Sequence, residues 1–229
     1  MLVSKLCSEK SLPLKYREKI KKRLPSYSAV NLYLGLNCDL KQHNINDYGI
    51  WVPNFRNNSP ENLNKSLETA DYSNFPIGSI LIYSNIDPTC CPPNKSIISV
   101  YSIAILEPFE KALDAQGKKG NNYQALKTKI ANQLINQISI ILKFPELKSH
   151  IEVMELATPI TFRRYSYNRG GALMGWELTP EQLLLNQLPQ KTPIKNLFLC
   201  GQWTNLGGGI SNVMKSGDLV AQMVKKYLE

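Results

Sequence analysis

The amino-acid sequence predicts an α+β fold, and three observations carry that reading. Short β-rich apolar runs, separated by turn residues, recur at 28–36, 79–83, 97–105 and 151–156, as expected of a mainly antiparallel sheet. Tyr123, Leu126, Ile130, Leu134, Ile138 and Ile141 fall at helical spacing and predict one long covering helix over 123–142. Near the C-terminus an apolar run at 197–200 leads through Gly201 and three consecutive glycines, Gly207 to Gly209, into an amphipathic segment. Glycines at such a strand-to-helix junction let backbone N–H groups approach a ligand, and the helix start behind them favours negative charge. That is chemistry for holding a cofactor.

The elements follow in chain order. Residues 5–23 hold six lysines and two arginines against Glu9 and Glu18, and account for much of the formal net charge of +9. Leu12, Tyr16, Ile20 and Leu24 recur at every fourth position, so the segment reads as a basic amphipathic helix ended by Pro25. Its basic side is either a solvated face or a surface for anionic membranes. A strand over 28–36 precedes a polar stretch and a short apolar patch at 48–52. Residues 54–66, with five asparagines, read as a loop. The strands at 79–83 and 97–105 flank the turn-rich Asn85-Ile-Asp-Pro-Thr-Cys-Cys-Pro-Pro-Asn94 and form a hairpin with a long connection. Residues 111–120 are polar and break the pattern. Pro145 stops the long helix, and a strand at 151–156 follows. Thr179, Pro180 and Gln182 predict a capped helix start.

Composition excludes several classes. With 43% hydrophobic and 20% charged residues the chain is ordinary globular protein, and it lacks the long apolar run of a spanning helix. No signal-peptide core is visible near Met1. Five cysteines without CxxC spacing favour a reducing, cytoplasmic setting, with peripheral membrane contact as the other expectation. Only His43 and His150 are present, so no histidine-built metal site is expected. The basic residues are not interleaved with stacking aromatics, so no nucleic-acid partner is expected. No Ser or Cys lies in an elbow-type motif, which disfavours a triad hydrolase.

Residues 158–176 concentrate glycine, aromatics and arginine, which read alone are a turn-rich connection. Together, Ala157-Thr-Pro-Ile-Thr, Arg164-Tyr, Asn168, Gly171-Ala and Gly175-Trp176, with Asn196-Leu-Phe-Leu-Cys-Gly, Gly207-Gly-Gly-Ile and Ser216-Gly217, resemble the C-terminal part of the phytoene desaturase family. That family takes in carotenoid isomerases and retinol saturases, all FAD-dependent oxidoreductases. Asp87-Pro-Thr-Cys-Cys-Pro-Pro and the helix before Phe144-Pro145 resemble its substrate region. Many relatives carry an acidic residue where this chain has Gln202, which can still hydrogen-bond ribityl or phosphate oxygens.

The resemblance implies a cofactor and a site. Gly201 and Gln202, with Trp203 beside them, would lie against the ribityl-pyrophosphate of FAD. Gly208, Gly209 and Ile210 would bring backbone amides to the isoalloxazine, with the helix from about Ser211 aimed at it and Ser216-Gly217 packing that helix on a sheet. Gly175 and Trp176 would approach from the substrate side. Catalytic side chains and metals are not expected, because the cofactor carries the chemistry. The resemblance divides the chain at 1–155, a substrate-domain region, and 156–229, the last strand and helix of an incomplete FAD-binding, Rossmann-like domain. Gly207-Gly-Gly-Ile-Ser-Asn212 has Asn where the dinucleotide fingerprint needs its third glycine.

Two readings stand. One is the C-terminal portion of an FAD-dependent oxidoreductase acting on carbon–carbon bonds of a long apolar, polyene-like (carotenoid or retinoid) substrate. The other is a non-catalytic fragment or subunit completed by a partner, either the N-terminal half or a second copy of the chain.

Overall fold

The structure, a computed structural model, describes residues 12–52, 59–182 and 188–229. Its helices are α1 (Leu14–Lys21), α2 (Pro60–Thr69), α3 (Glu107–Lys111), α4 (Asn121–Ile141), α5 (Pro159–Ser166) and α6 (Ile210–Leu228). Its strands are β1 (Ser28–Leu36), β2 (Gly49–Trp51), β3 (Ser79–Ile82), β4 (Ser96–Ala104) and β5 (Ile151–Ala157). The chain divides into two compact units: Ser28–Phe162, and Met1–Tyr27 together with Arg163–Glu229. The sequence reading put a single boundary at 155/156, whereas the N-terminal segment belongs with the C-terminal one.

The first unit is built on a five-stranded antiparallel sheet in the order β2-β3-β4-β1-β5. β1 and β4 pair over nine residues, from Ser28 opposite Ala104 to Leu36 opposite Ser96. Their central position explains their composition, since Val30, Leu32, Leu34, Ile98 and Val100 are all buried. The expected hairpin of β3 and β4 is present, with Ser79 opposite Tyr101 and Ile82 opposite Ile98. The predicted long helix is α4. Its Ile130, Leu134, Ile135 and Ile138 share a core with the strands, while Ile140 is exposed.

Polar anchors fix the helix to the loop before β3. The Tyr72 N–H donates to Gln133 Oε1 at 3.0 Å, the Gln137 side chain donates to the Tyr72 carbonyl, and the Tyr72 hydroxyl donates to the Ile103 carbonyl at 3.0 Å. Burial pushes the Tyr72 phenol well above its ordinary range, so it stays a neutral donor. At the far end, Tyr123 and Thr158 join their hydroxyls at 2.6 Å in the interior.

Two expectations are corrected, and one convergence was not anticipated. Residues 60–66 are helical rather than loop. Ser59 caps α2 by accepting the Asn62 N–H at 3.3 Å, Pro60 occupies the first turn, and Leu63 and Leu67 pack on the core. Capping and an i,i+4 apolar pair outweigh the poor helix propensity of asparagine. The start of the predicted turn-rich segment, 159–166, is α5. Finally, Cys38, His43 and His150 converge beside the end of β1 and the start of β5. A count of two histidines gave no sign of that convergence, because they are over a hundred residues apart.

Deleting core volume on α4 tests this packing. Leu134→Ala should lower unfolding free energy by about 2–5 kcal/mol in urea titration, and Ile140→Ala by no more than about 0.5 kcal/mol. Equal effects of the two would place the helix face wrongly.

Candidate functional site

The second unit gathers the glycine-rich residues, and its foundation is laid by the N-terminal segment. Leu12 and Tyr16 of the α1 region are buried with Trp176 and Leu188, and Ile20, Ile194, Leu199 and Trp203 pack against this cluster. The apolar side of the basic helix is therefore largely spent on an internal core. Beyond α1 the chain runs extended along residues 173–177. Ser26 N–H donates to the Gly175 carbonyl at 2.8 Å, Leu173 N–H to Tyr27 at 3.1 Å and Glu177 N–H to Leu24 at 2.8 Å. The Ser26 hydroxyl accepts the Met174 N–H at 3.0 Å. These bonds hold the backbone of 173–177 as a rigid wall.

Against that wall lies the loop 201–209. Gly175 has φ +81°, and a Cβ placed on it would stand 2.0 Å from the Gln202 carbonyl oxygen. Both the dihedral and the space demand glycine. A Cβ on Gly208 would stand 2.5 Å from the Met174 Cα. Two backbone-on-backbone contacts thus press the loop onto the wall. Gly201, Gly207 and Gly209 also have positive φ, yet a Cβ on any of them would meet nothing within 4 Å. Their strain-relieving role is local, and the space in front of them is open.

Side chains lock the same arrangement. The Trp176 indole donates to the Trp203 carbonyl at 2.9 Å, and the two rings meet edge to face at 4.7 Å. The Trp203 indole donates to Asn168 Oδ1 at 3.1 Å, and Asn168 Nδ2 donates to the Ala172 carbonyl at 2.9 Å. The Gly201 N–H donates to the buried Ser216 hydroxyl at 3.0 Å, and Thr204 Oγ1 donates to the Gly201 carbonyl at 2.8 Å. Ser216 therefore ties α6 to the loop by a hydrogen bond. Gly217, by contrast, has nothing among the described residues within 4 Å of its would-be Cβ.

The loop ends in an uncapped helix. Gly209 is the N-cap of α6, with φ +95° and no side-chain hydrogen bond to the first turn. Ile210 and Ser211 begin the helix and are exposed. Backbone N–H groups of a first helical turn have no partner within the helix and carry the positive end of its dipole. In the loop itself, Asn205 Oδ1 is buried without a hydrogen-bond partner among the described residues. Arg23 is buried with its guanidinium carbon 5.4 Å from the Trp176 ring centroid, and its Nε and Nη2 are likewise unpartnered. Burial pushes the Arg23 pKa down and the Tyr16 phenol up, each opposed by the other's charge.

The predicted site residues fall into two groups. Gly175, Trp176, Gly201, Gln202, Trp203 and Gly208 form one packed arrangement, and Gly209, Ile210 and Ser211 form its open edge. The expected strand at 197–200 is not a strand. Phe198 makes only an isolated bridge to Lys191, and Leu199 N–H donates to the Gln190 carbonyl at 2.7 Å in a local turn. An apolar run becomes a strand only where a neighbouring strand supplies its ladder, and among the described residues none does so. The helix start at Thr179 has its expected cap, with Thr179 Oγ1 accepting the Gln182 N–H at 3.3 Å, and residues 183–187 lie outside the described residues. The predicted basic segment at 5–11 also lies outside them. Sequence reasoning missed Thr204, Ser26 and Arg23, and no local motif marks them. Asn168 sat in the resemblance without a role.

The sheet unit holds a separate cavity of about 310 Å³ lined by Trp51, Val52, Leu63, Phe75, Ile77 and Ile103, with almost entirely apolar walls. Among the described residues no helix is long and apolar enough to cross a membrane.

No family model matches the chain. It is 30% identical over 135 residues to an all-trans-retinol 13,14-reductase of Danio rerio, covering 56% of this chain and 22% of that protein. It is 29% identical over 158 residues to a chloroplastic prolycopene isomerase of Daucus carota, covering 67% and 25%. Against a 4,4'-diapophytoene desaturase of a Methylomonas species it is 25% identical over 212 residues, covering 91% and 38%. The chain thus spans between about a fifth and two fifths of the length of these relatives. These similarities support a relation to the phytoene desaturase, carotenoid isomerase and retinol saturase family of oxidoreductases, and the partial coverage fits a C-terminal part.

The Gly175–Gln202 contact makes a direct prediction. Gly175→Ala forces a side chain into a left-handed conformation, a cost of about 1–3 kcal/mol before the overlap with Gln202 is added. The variant should lower the thermal midpoint and shift tryptophan emission to the red as Trp176 and Trp203 separate. Unchanged emission and midpoint would refute the contact.

Proposed function

We propose that this chain contributes the flavin-facing wall of an FAD-dependent oxidoreductase acting on carbon–carbon bonds of a long apolar, polyene-like substrate. The observation that carries the reading is the loop 201–209: pressed onto the wall by Gly175 and Gly208, open in front of Gly201, Gly207 and Gly209, and leading into an uncapped helix start. The residues present fit the cofactor. Backbone amides at Gly209, Ile210 and Ser211 would face the electron-rich edge of the isoalloxazine and stabilise negative charge there. Gly201, Gln202 and Trp203 would border the ribityl chain, and the unpaired Asn205 carbonyl oxygen would accept from a ribityl hydroxyl. The buried Arg23 is a donor for an anionic group. Bound FAD would supply hydride exchange, and the protein's part is to hold it in register and keep water out.

The substrate class rests on the relatives, which act on retinoids and carotenoids by name, and on the apolar cavity of the sheet unit. Trp51 lies on that cavity's wall and is itself 78% exposed, so it reports on occupancy. Retinol added to the chain should quench part of the tryptophan emission. Trp51→Phe should remove that part, and Leu63→Trp, which fills the cavity, should weaken binding about tenfold or more. Quenching that survives both variants would move the substrate site elsewhere.

A second reading, a subunit completed by a partner polypeptide, is favoured by α6. Ile210, Met214, Tyr227 and Leu228 are exposed on it, an apolar surface unusual for an isolated helix in water. Both readings predict an incomplete nucleotide site in this chain. The isolated chain should therefore bind FAD and riboflavin weakly and with similar affinity, within about threefold, because adenine adds no contact. Gly209→Val should abolish both by filling the open face and straining a positive φ. FAD binding about a hundredfold tighter than riboflavin would sink the incomplete-site reading.

A further inference from the structure

We infer that Cys38, His43 and His150 form a zinc site in the sheet unit, independent of the flavin reading. The chain has only two histidines, and the fold brings both of them to one cysteine. One donor atom from each lies within 4.8 Å of the other two. In a tetrahedral zinc site, with bonds of about 2.0–2.3 Å, ligand atoms stand about 3.3–3.8 Å apart. His43 is exposed and rests its ring on Phe144, so its side chain has room to adjust toward the other two donors.

The backbone around the three residues is pinned by hydrogen bonds. Asn37 N–H donates to the His150 carbonyl at 2.9 Å, fixing the separation of the two segments just beyond the β1–β5 ladder. Asp39 accepts the Lys41 N–H at 3.0 Å and starts the 3-10 turn Leu40–His43, which Asn44 ends at φ +62°. The fully buried Leu40 donates its N–H to Ser96 Oγ at 3.0 Å. Cys38 and His43 are thereby set at the two ends of a pinned turn. Phe144 supports the imidazoles, 4.6 Å from the His43 ring and 5.4 Å from the His150 ring, which it stacks upon.

The orientation of His150 points to a metal rather than to packing alone. Its Nδ1 lies 2.8 Å from Asn37 Oδ1, an acceptor, and the neutral tautomer that donates there carries its lone pair on Nε2. A hydrogen bond from the non-ligating nitrogen to a carbonyl-type oxygen is the usual second-sphere support of a zinc-bound histidine. One thiolate and two neutral imidazoles make a borderline-soft donor set that suits zinc and excludes magnesium and calcium. Binding deprotonates the Cys38 thiol, whose proton goes to solvent, and water fills the fourth position. The ion would staple residues 38–43 to His150 and close the corner where β1 leads out and β5 leads in.

The test uses the full chain, reduced and stripped with a chelator, then titrated with Co²⁺ and Zn²⁺. One Co²⁺ per chain should bind with a thiolate-to-cobalt charge-transfer absorption, and Zn²⁺ should displace it. Cys38→Ser should erase the absorption, while Cys90→Ser, at an exposed thiol, leaves it intact. His43→Ala and Asn37→Ala should each weaken binding about tenfold or more. His43 is exposed, so its variant keeps the fold and decides the matter even if Cys38→Ser does not fold. No charge-transfer absorption, its survival in Cys38→Ser, or unchanged affinity in His43→Ala would each overturn the assignment.

Discussion

Two peptide backbones meeting without side chains between them organise the glycine-rich unit. Gly175 touches Gln202 and Gly208 touches Met174 at distances that leave no room for a Cβ. Everything nearby depends on those contacts. They set Trp176 over Trp203, they aim the 201–209 loop, and through the Gly201–Ser216 hydrogen bond they fix where α6 starts. The order of cause is from sequence outward. Glycine at 175 permits the approach, the tryptophan pair and Asn168 hold it, and the ladder to residues 24–27 keeps the wall from yielding. What results is an open backbone edge at Gly209 leading into the uncapped first turn of α6, whose N–H groups have no partner within the helix.

The sheet unit obeys a different logic. Its central strands are buried and continuous in hydrophobicity, its edge strand β5 is largely exposed, and its long helix is anchored by glutamine side chains as well as by apolar contacts. Such a unit offers a rigid frame with an apolar hollow, which suits recognition of a substrate without polar handles. The glycine-rich unit presents close backbone contacts and an uncapped helix start, and the sheet unit encloses apolar volume.

Much of the sheet was legible in the sequence because its signals are local and strong. Residues 28–36 alternate and carry β-branched and aromatic side chains, and they form β1 with those bounds. The helical period from Tyr123 onward is equally plain in α4. Where reading failed, a non-local term decided. The asparagines of 57–64 hid a helix whose Ser59 cap and Leu63–Leu67 pair matter more than composition. The apolar run at 197–200 has strand character but, among the described residues, no strand beside it to complete a ladder. In the candidate site, the glycines and tryptophans were named through the family resemblance. Ser26 and Arg23 were not, because their role depends on the N-terminal segment lying along residues 173–177.

The central claim is that the open edge of the loop and the first turn of α6 face a flavin ring. Hydrogen exchange of the chain with and without excess riboflavin reads that edge amide by amide. The account predicts slowed exchange at Gly209, Ile210, Ser211 and the loop from Gly201, with the strands of the sheet unit unaffected. Exchange unchanged across 201–212, or protection confined to the sheet unit, would contradict it.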